Sequence, residues 1–300
     1  MATPSRFQLY KELAKSGIVT LVLISVLGGY LAGAPLEQPI SIVRLLWTLA
    51  GILALASGSS ALNQIQDRDI DAAMPRTVKR PLPSGKMSLT EAWTFVSITV
   101  LAGLAILWSL APSLFILGLL ALVSYNGLYT LWWKRHWAFA AIPGAVPGAL
   151  PILMGYAAAS GSVFSLGGLY LFFILFFWQM PHFWVLAIRY TEDYSLGGVP
   201  TLPVKLGKPV TVSQITIWCL GYVGLATLAP PFLGVSGLYC IGAMAVSLKI
   251  LWELRAFRKS PESKHWLRFF LWVNFSLILY IALAVLDRWN YHLLKNWWVR

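Results

Sequence analysis

Only 11% of the 300 residues are charged, whereas 58% are hydrophobic and 14% are aromatic. A soluble domain carries about 25% charged residues, so this composition excludes a soluble globular protein and indicates an integral membrane protein. The formal net charge of +12 would suit a nucleic-acid partner, but the basic residues follow the loops between apolar runs, so we expect no nucleic acid.

Nine apolar runs, each long enough for a membrane-crossing helix, follow one another along the chain. The first ends in small residues, as a secretory signal peptide does, but its length favours a helix that is retained. Span five is rich in proline and glycine, which predicts either loose packing or a pocket wall. Spans one to nine are predicted at about 17–33, 45–66, 90–110, 113–132, 138–158, 165–190, 211–231, 236–254 and 267–286.

The lysines and arginines predict the orientation of the chain. Most of the 23 lie before span one or in the loops after spans two, four, six and eight, whereas the opposite loops hold only Arg44. Because positive charge stays on the cytoplasmic side, we expect a multi-pass protein of the cell inner membrane. Its N-terminus would lie in the cytoplasm and its C-terminus outside.

Acidic and amide side chains share a helix face where span two ends. Asn63, Asp67 and Asp71 recur every four residues, so they lie on one face of a helix, while Asp69 points the other way. Carboxylate and amide oxygens in such a cluster suit a hard cation, and Mg²⁺ is the expected cofactor.

Basic residues on a proline-rich segment follow this cluster, among them Arg76 and Arg80. Carboxylates that hold Mg²⁺ beside such cations are what a diphosphate needs, because the metal bridges its oxygens and the cations neutralise the remaining charge. The alternative is a solvated loop whose charges only set the topology. Topology, however, requires no spaced aspartates.

A second acidic pair, Glu192 and Asp193, follows span six and is expected on the same side of the membrane as Asp67. The two segments would then present Asp67, Asp71 and Asp193 across a gap, with one or two Mg²⁺ ions and a diphosphate between them. A helix cap or a salt bridge is the alternative role for this acidic pair.

Span six carries a histidine among aromatic residues. His182, Arg189 and Asp193 are spaced near whole helical turns, so they share a face unless Pro181 bends the helix. A histidine inside the membrane is a functional candidate. Three roles are open for His182: an axial iron ligand, a proton-transfer group or a packing residue bonded to Gln179.

Most aromatic side chains are expected to pack against lipid or other helices, or to lie in interfacial belts. Some of them, such as Tyr125, Tyr129 and Trp178, are candidates to line a cavity. Their π faces would stabilise an allylic cation there.

Two separated blocks of the sequence resemble a known family. The pattern N-x-x-x-D-x-x-x-D from Asn63, followed by R-T-x-x-R-P-L-P-S-G, is similar to the first signature of the UbiA-type intramembrane prenyltransferases. The second block, residues 177–204, reads F-W-Q-M-P-H-F-W-V-L-A-I-R-Y-T-E-D-Y-S-L-G-G-V-P-T-L-P-V. It resembles the protoheme IX farnesyltransferases, the haem O synthases of that superfamily.

The resemblance implies one transmembrane prenyltransferase domain over residues 1–300, all-α, with nine helices around a central cavity and active-site loops in the cytoplasm. It implies Mg²⁺ dependence, farnesyl diphosphate as the donor and haem B as the acceptor, with a hydroxyethylfarnesyl group formed at a vinyl carbon. Membrane lipid would surround the enzyme. Haem A synthase or cytochrome oxidase assembly factors are the implied protein partners.

The resemblance also implies roles by position. The residues that would hold the metal are Asn63, Asp67, Asp71 and Asp193, of which the three aspartates are also catalytic. The residues that would bind the diphosphate are Asn63, Arg76, Arg80, Lys134 and Arg189. The candidates on the haem side are His182 and Trp178.

Three alternatives remain open. The same chemistry can act on a different aromatic or tetrapyrrole acceptor. An ion-coupled membrane transporter would use the aspartates to bind ions near the middle of the bilayer, although these aspartates lie at helix ends. A haem-binding or assembly protein without catalysis would not depend on Asp67.

Overall fold

The computed structural model describes residues 4–261 and 264–298, with side chains through residue 290. These residues form helices joined by turns, and no β-strand occurs among them, as expected for an all-α protein. Nine of the described helices are long and apolar enough to cross a membrane, which confirms the predicted number. They are Ser16–Gly33, Ile42–Gln66, Leu89–Leu110, Pro112–His136, Ala141–Ser160, Leu166–Arg189, Leu202–Thr227, Gly237–Lys259 and Lys264–Asn290.

Spans seven and nine are longer than predicted. Span seven begins at Leu202 and not near residue 211, and it kinks at Gly207, whose φ is 80°. Lys205 and Lys208, on either side of the kink, lower the local hydropathy, so the sequence pattern does not predict the first turns of this helix. The helix of span nine continues beyond the apolar run to Trp298.

Span five packs closely against span one as a continuous helix, in spite of its two internal prolines. A Cβ on Gly29 would overlap the carbonyl oxygen of Ile152, and a Cβ on Gly155 would overlap that of Val26. Small residues allow membrane helices to approach with their backbones nearly in contact. Loose packing of span five is therefore wrong, and among the described spans it has the largest buried share.

Side chains that bond to backbone join the N-terminal helix Arg6–Leu13, span two and span four. Gln64 Nε2 of span two donates to the carbonyl of Leu13 at 2.9 Å. Arg135 at the end of span four donates to the carbonyl of Gln66 at 2.6 Å. The beginning of the described chain and the ends of spans two and four therefore lie at the same end of the helix bundle.

The second half of span four, Val123–Trp133, is a helix of wider turn, in which backbone hydrogen bonds join residue i to residue i+5. The Thr130 hydroxyl follows this spacing and donates to the carbonyl of Tyr125 at 2.8 Å. Wide-turn segments are rare in proteins, and many of those that are known lie at functional sites. Hydropathy does not distinguish the two helix types, so the sequence pattern does not predict this segment.

Candidate active site

A cavity of about 380 Å³ lies at the end of the bundle where spans two, four and six end and span one begins. Its walls come from the start of span one, the segment after span two, the wide-turn part of span four and the segment after span six. The charged residues that line it are Lys15, Asp67, Asp71, Arg76, Arg80 and Lys134. The segments predicted to share one side of the membrane therefore meet around a single cavity.

Asn63, Asp67 and Asp71 line one wall of this cavity. Span two ends just before Asp67 and a short helix follows, but the N–H groups of Asp67 and Asp71 still donate to the carbonyls four residues earlier, at 2.9 and 2.8 Å. The three side chains are at most 3% exposed, whereas Asp69 is exposed. The shared face predicted from the spacing therefore survives the break in the helix.

The two buried carboxylates of the cavity are each paired with a cation. Lys134 Nζ lies 2.5 Å from Asp67 Oδ2, and Arg80 Nη1 lies 2.6 Å from Asp71 Oδ2. Arg135 approaches the second oxygen of Asp67 at 4.0 Å. Buried charges are stable only when they are paired. These ion pairs therefore keep two carboxylates and two cations charged in the wall of the cavity.

Asp193 is connected to the cavity through Arg76. The Nε of Arg76 lies 3.6 Å from Asp193 Oδ2, and its guanidinium lies over the ring of Tyr190 at 4.9 Å. Arg76 itself lines the cavity. Asp67 and Asp193 are therefore at the same end of the bundle, and Asp193 forms the salt bridge that was one alternative for the second acidic pair.

Lys15 also lines the cavity, although its position before span one predicts only a topological role. Its backbone is left-handed, with φ of 51°, and its Nζ donates to Asn63 Oδ1 at 2.5 Å. Burial, together with the nearby charges of Arg80 and Lys134, lowers the pKa of Lys15 to about 7. An anion in the cavity would favour the charged form of this side chain.

Two of the aromatic candidates form part of the cavity wall. The rings of Tyr125 and Tyr129 stack with centroids 5.9 Å apart and planes 12° apart, and both line the cavity. They come from the wide-turn segment of span four, which ends next to Lys134. The wide turn therefore keeps two π faces and a cation on the same side of span four.

A second, apolar cavity of about 220 Å³ adjoins the first. The residues common to both are Lys15, Ile18, Tyr125, Gly144 and Gln179. The remaining lining is mainly aliphatic and comes from spans one, two, four and five. Together the two cavities fit a molecule with an anionic head and a long apolar tail.

Four predicted site residues line neither of these two cavities: Trp178, His182, Arg189 and Asp193. His182 stacks between Trp178, at 4.6 Å, and Phe270 of span nine, at 5.3 Å. Arg189 lines a separate cavity on that side of span six, so the geometry does not support its predicted place at the diphosphate. Gln179 donates to the backbone of spans five and six rather than to His182.

The acid cluster has the donor atoms of a hard-cation site. Among the described residues, no group of three or more His, Cys, Asp or Glu side chains is close enough to hold a metal by itself. Asp67 Oδ1 is nevertheless buried without a hydrogen-bond partner, and Asn63, Asp67 and Asp71 all offer oxygens, which Mg²⁺ prefers. These residues fit a Mg²⁺ ion that takes its remaining oxygens from an anionic ligand.

Comparison with known sequences agrees with this geometry. The model of the UbiA prenyltransferase family matches residues 22–275. The protoheme IX farnesyltransferase of Bdellovibrio bacteriovorus is 47% identical over 284 residues, which are 95% of this chain and 97% of that protein. The protoheme IX farnesyltransferase of Aquifex aeolicus is 37% identical over 278 residues, 92% of this chain and 94% of that protein.

Solved structures share the fold at low sequence identity. A structure of digeranylgeranylglyceryl phosphate synthase superposes with a TM-score of 0.77 at 20% identity, covering 95% of this chain and 99% of that one. A UbiA homologue from Archaeoglobus fulgidus bound to GPP and Mg²⁺ superposes with a TM-score of 0.65 at 16% identity, covering 92% and 99%. The helical arrangement is therefore shared with these solved structures.

Proposed function

The chain belongs to the UbiA prenyltransferase family, and we propose that it transfers the farnesyl group of farnesyl diphosphate to haem B, giving haem O. Relatives 47% and 37% identical over nearly the whole chain are named protoheme IX farnesyltransferase. The observation that carries the proposal is the pair of adjoining cavities. One is lined by acids and cations, and the other is apolar.

The diphosphate of the donor binds among the cations of the first cavity. Lys15, Arg76, Arg80 and Lys134 all line this space. Arg80 and Lys134 turn from their carboxylates towards the phosphate oxygens, where charge-assisted hydrogen bonds compensate the anion. The stabilisation is electrostatic, because these cations already line the cavity in which the anion binds.

Asn63, Asp67 and Asp71 would hold Mg²⁺ from one side of the diphosphate, and Asp193 from the other. When bound, the metal supplies Lewis-acid stabilisation of the leaving diphosphate oxygens. Arg80, Lys134 and Arg76 are the present partners of these aspartates. Carboxylates that held the metal would release these three cations, which would then be available to the substrate.

The farnesyl chain lies in the apolar cavity with C1 at the junction of the two spaces. Heterolysis of the C1–O bond leaves the electron pair on the diphosphate and a positive charge on the allylic carbons. Tyr125 lines both cavities at this junction and stacks with Tyr129 of the first cavity, and the π faces of this pair stabilise that charge. The apolar walls limit the water that can intercept the cation.

The terminal vinyl carbon of haem B then forms a bond to C1, and the positive charge moves to the vinyl carbon attached to the porphyrin. Water adds to this carbon and releases a proton, so the product gains a farnesyl group and a hydroxyl. Diphosphate is the second product.

On the acceptor side we propose His182 and Trp178. The Nδ1 of His182 is buried without a hydrogen-bond partner, which leaves this nitrogen available to a ligand. The two rings lie against span nine, so haem would contact this face of span six.

We propose that the protein lies in the cell inner membrane and that the end of the bundle with the first cavity is on the cytoplasmic side, since most basic residues lie there. Haem A synthase or a cytochrome oxidase assembly factor would then take over the product.

The test is the product mass from purified enzyme given haem B, farnesyl diphosphate and Mg²⁺. We expect a haem whose mass increases by one farnesyl group and one hydroxyl group, with one diphosphate released for each product. Diphosphate release without this haem would indicate a different acceptor. No Mg²⁺-dependent diphosphate release at all would contradict the enzyme mechanism and favour a transporter or a haem-binding protein.

A further inference from the structure

A third cavity, of about 880 Å³, lies at the same end of the bundle on the other side of span six. It is bounded by the end of span six, the segment after it and the start of span nine. The described residues that line it include charged and apolar side chains: Arg189, Glu192, Lys208, Lys264, Trp266 and Leu267. The lining thus contains three cationic side chains and one carboxylate, so the net charge of these residues is positive.

We propose that this cavity binds the headgroup of an anionic membrane phospholipid. Its basic residues lie at the ends of membrane helices, which is the depth of lipid phosphates, and basic pockets between such helices bind anionic headgroups. Arg189 lies over the ring of Trp266 at 5.9 Å, and an arginine so oriented can bind a phosphate with two hydrogen bonds. Leu267 beside it is 50% exposed and can accept the first acyl carbons.

The headgroup site and the diphosphate cavity share one structural element. The short helix Thr191–Leu196 contributes Thr191 and Glu192 to the lipid cavity and Tyr194 to the diphosphate cavity. Between them lies Asp193, the partner of Arg76. A bound headgroup would therefore brace the segment that carries Asp193.

The test is lipid binding by the purified full-length protein, measured by native mass spectrometry during titration with phosphatidylglycerol or phosphatidylcholine. The variant R189Q/K264Q removes two cations of the lipid cavity. The control K79Q/K86Q removes two exposed cations from the segment after span two, which line none of the cavities described. The charge-retaining variant R189K/K264R separates loss of charge from loss of folding.

We expect R189Q/K264Q to bind phosphatidylglycerol about 30-fold more weakly, since each surface cation contributes roughly a factor of five. The control should bind it as the wild type does, R189K/K264R should lose clearly less affinity than R189Q/K264Q because it keeps both charges, and phosphatidylcholine binding should not change. Equal loss in the control, or no loss in R189Q/K264Q, would overturn the proposal.

Haem propionates carry the same anionic chemistry, so a second arm measures the KM for haem B. A raised KM in R189Q/K264Q with unchanged phosphatidylglycerol binding would assign the cavity to haem and reject the lipid. Lipid binding measured by native mass spectrometry needs no turnover, so its result does not depend on whether the proposed reaction is correct.

Discussion

Replacing Asp67 and Lys134 together should cost less stability than replacing either one alone. Their charged atoms are 2.5 Å apart, and the side chains are 2% and 15% exposed. Breaking a buried ion pair costs about 3–5 kcal/mol, because the remaining charge stays buried without its partner. Arg135 lies 4.0 Å from Asp67 and compensates partly, so we expect about 3 kcal/mol for K134M. The double variant D67N/K134M should lose only about 1 kcal/mol.

Activity should be lost in all three variants, although the double variant recovers most of the stability. Each single variant and the double variant lose a group that contacts the diphosphate or its metal, and removing one such group typically costs about 10²–10³ in kcat. The assays are unfolding in detergent micelles, monitored by tryptophan fluorescence, and Mg²⁺-dependent diphosphate release. Additive stability losses would refute the ion pair, and wild-type turnover in D67N would refute the role of Asp67.

Three further variants test other parts of the structure. K15M should reduce turnover about 100-fold with little change in helicity, whereas K15R should retain most activity; equal loss in both would show that the charge is not what matters. G29A should destabilise the protein by about 1–3 kcal/mol in detergent unfolding, because its Cβ would overlap a carbonyl of span five. G17A in the same helix meets no atom within 4 Å and should be neutral; equal effects would contradict the close packing. H182A should raise the KM for haem B about tenfold (about 1.4 kcal/mol) and leave that for farnesyl diphosphate unchanged; a loss of stability alone would assign His182 to packing.

Hydropathy and spacing predict the helices and the acid cluster because both depend on local rules. A membrane helix must be long and apolar, and residues four apart on a helix share a face, so the nine spans and the wall of Asn63, Asp67 and Asp71 are readable from the sequence. The side of each loop follows from charge, and the structure brings those loops to one end of the bundle.

Other parts of the site depend on contacts between distant residues. Lys15 lies in the cavity in contact with Asn63, which is distant in sequence, and nothing near residue 15 indicates this contact. The wide turn around Tyr125 is a change of hydrogen-bond spacing without a hydropathy signal. Arg189 and Asp193 are close in sequence, yet the helix ends between them and Arg189 faces another cavity.

Binding of a donor that cannot ionise, farnesyl S-thiolodiphosphate, tests the central assignment most directly. The measurement compares the Kd of wild type, R80Q and K79Q with and without Mg²⁺ by calorimetry in detergent. We predict tight binding that depends on Mg²⁺ in wild type and in K79Q, and binding about tenfold or more weaker in R80Q. Equal, Mg²⁺-independent affinity in all three proteins would contradict the claim that the cations and acids of the first cavity hold the diphosphate.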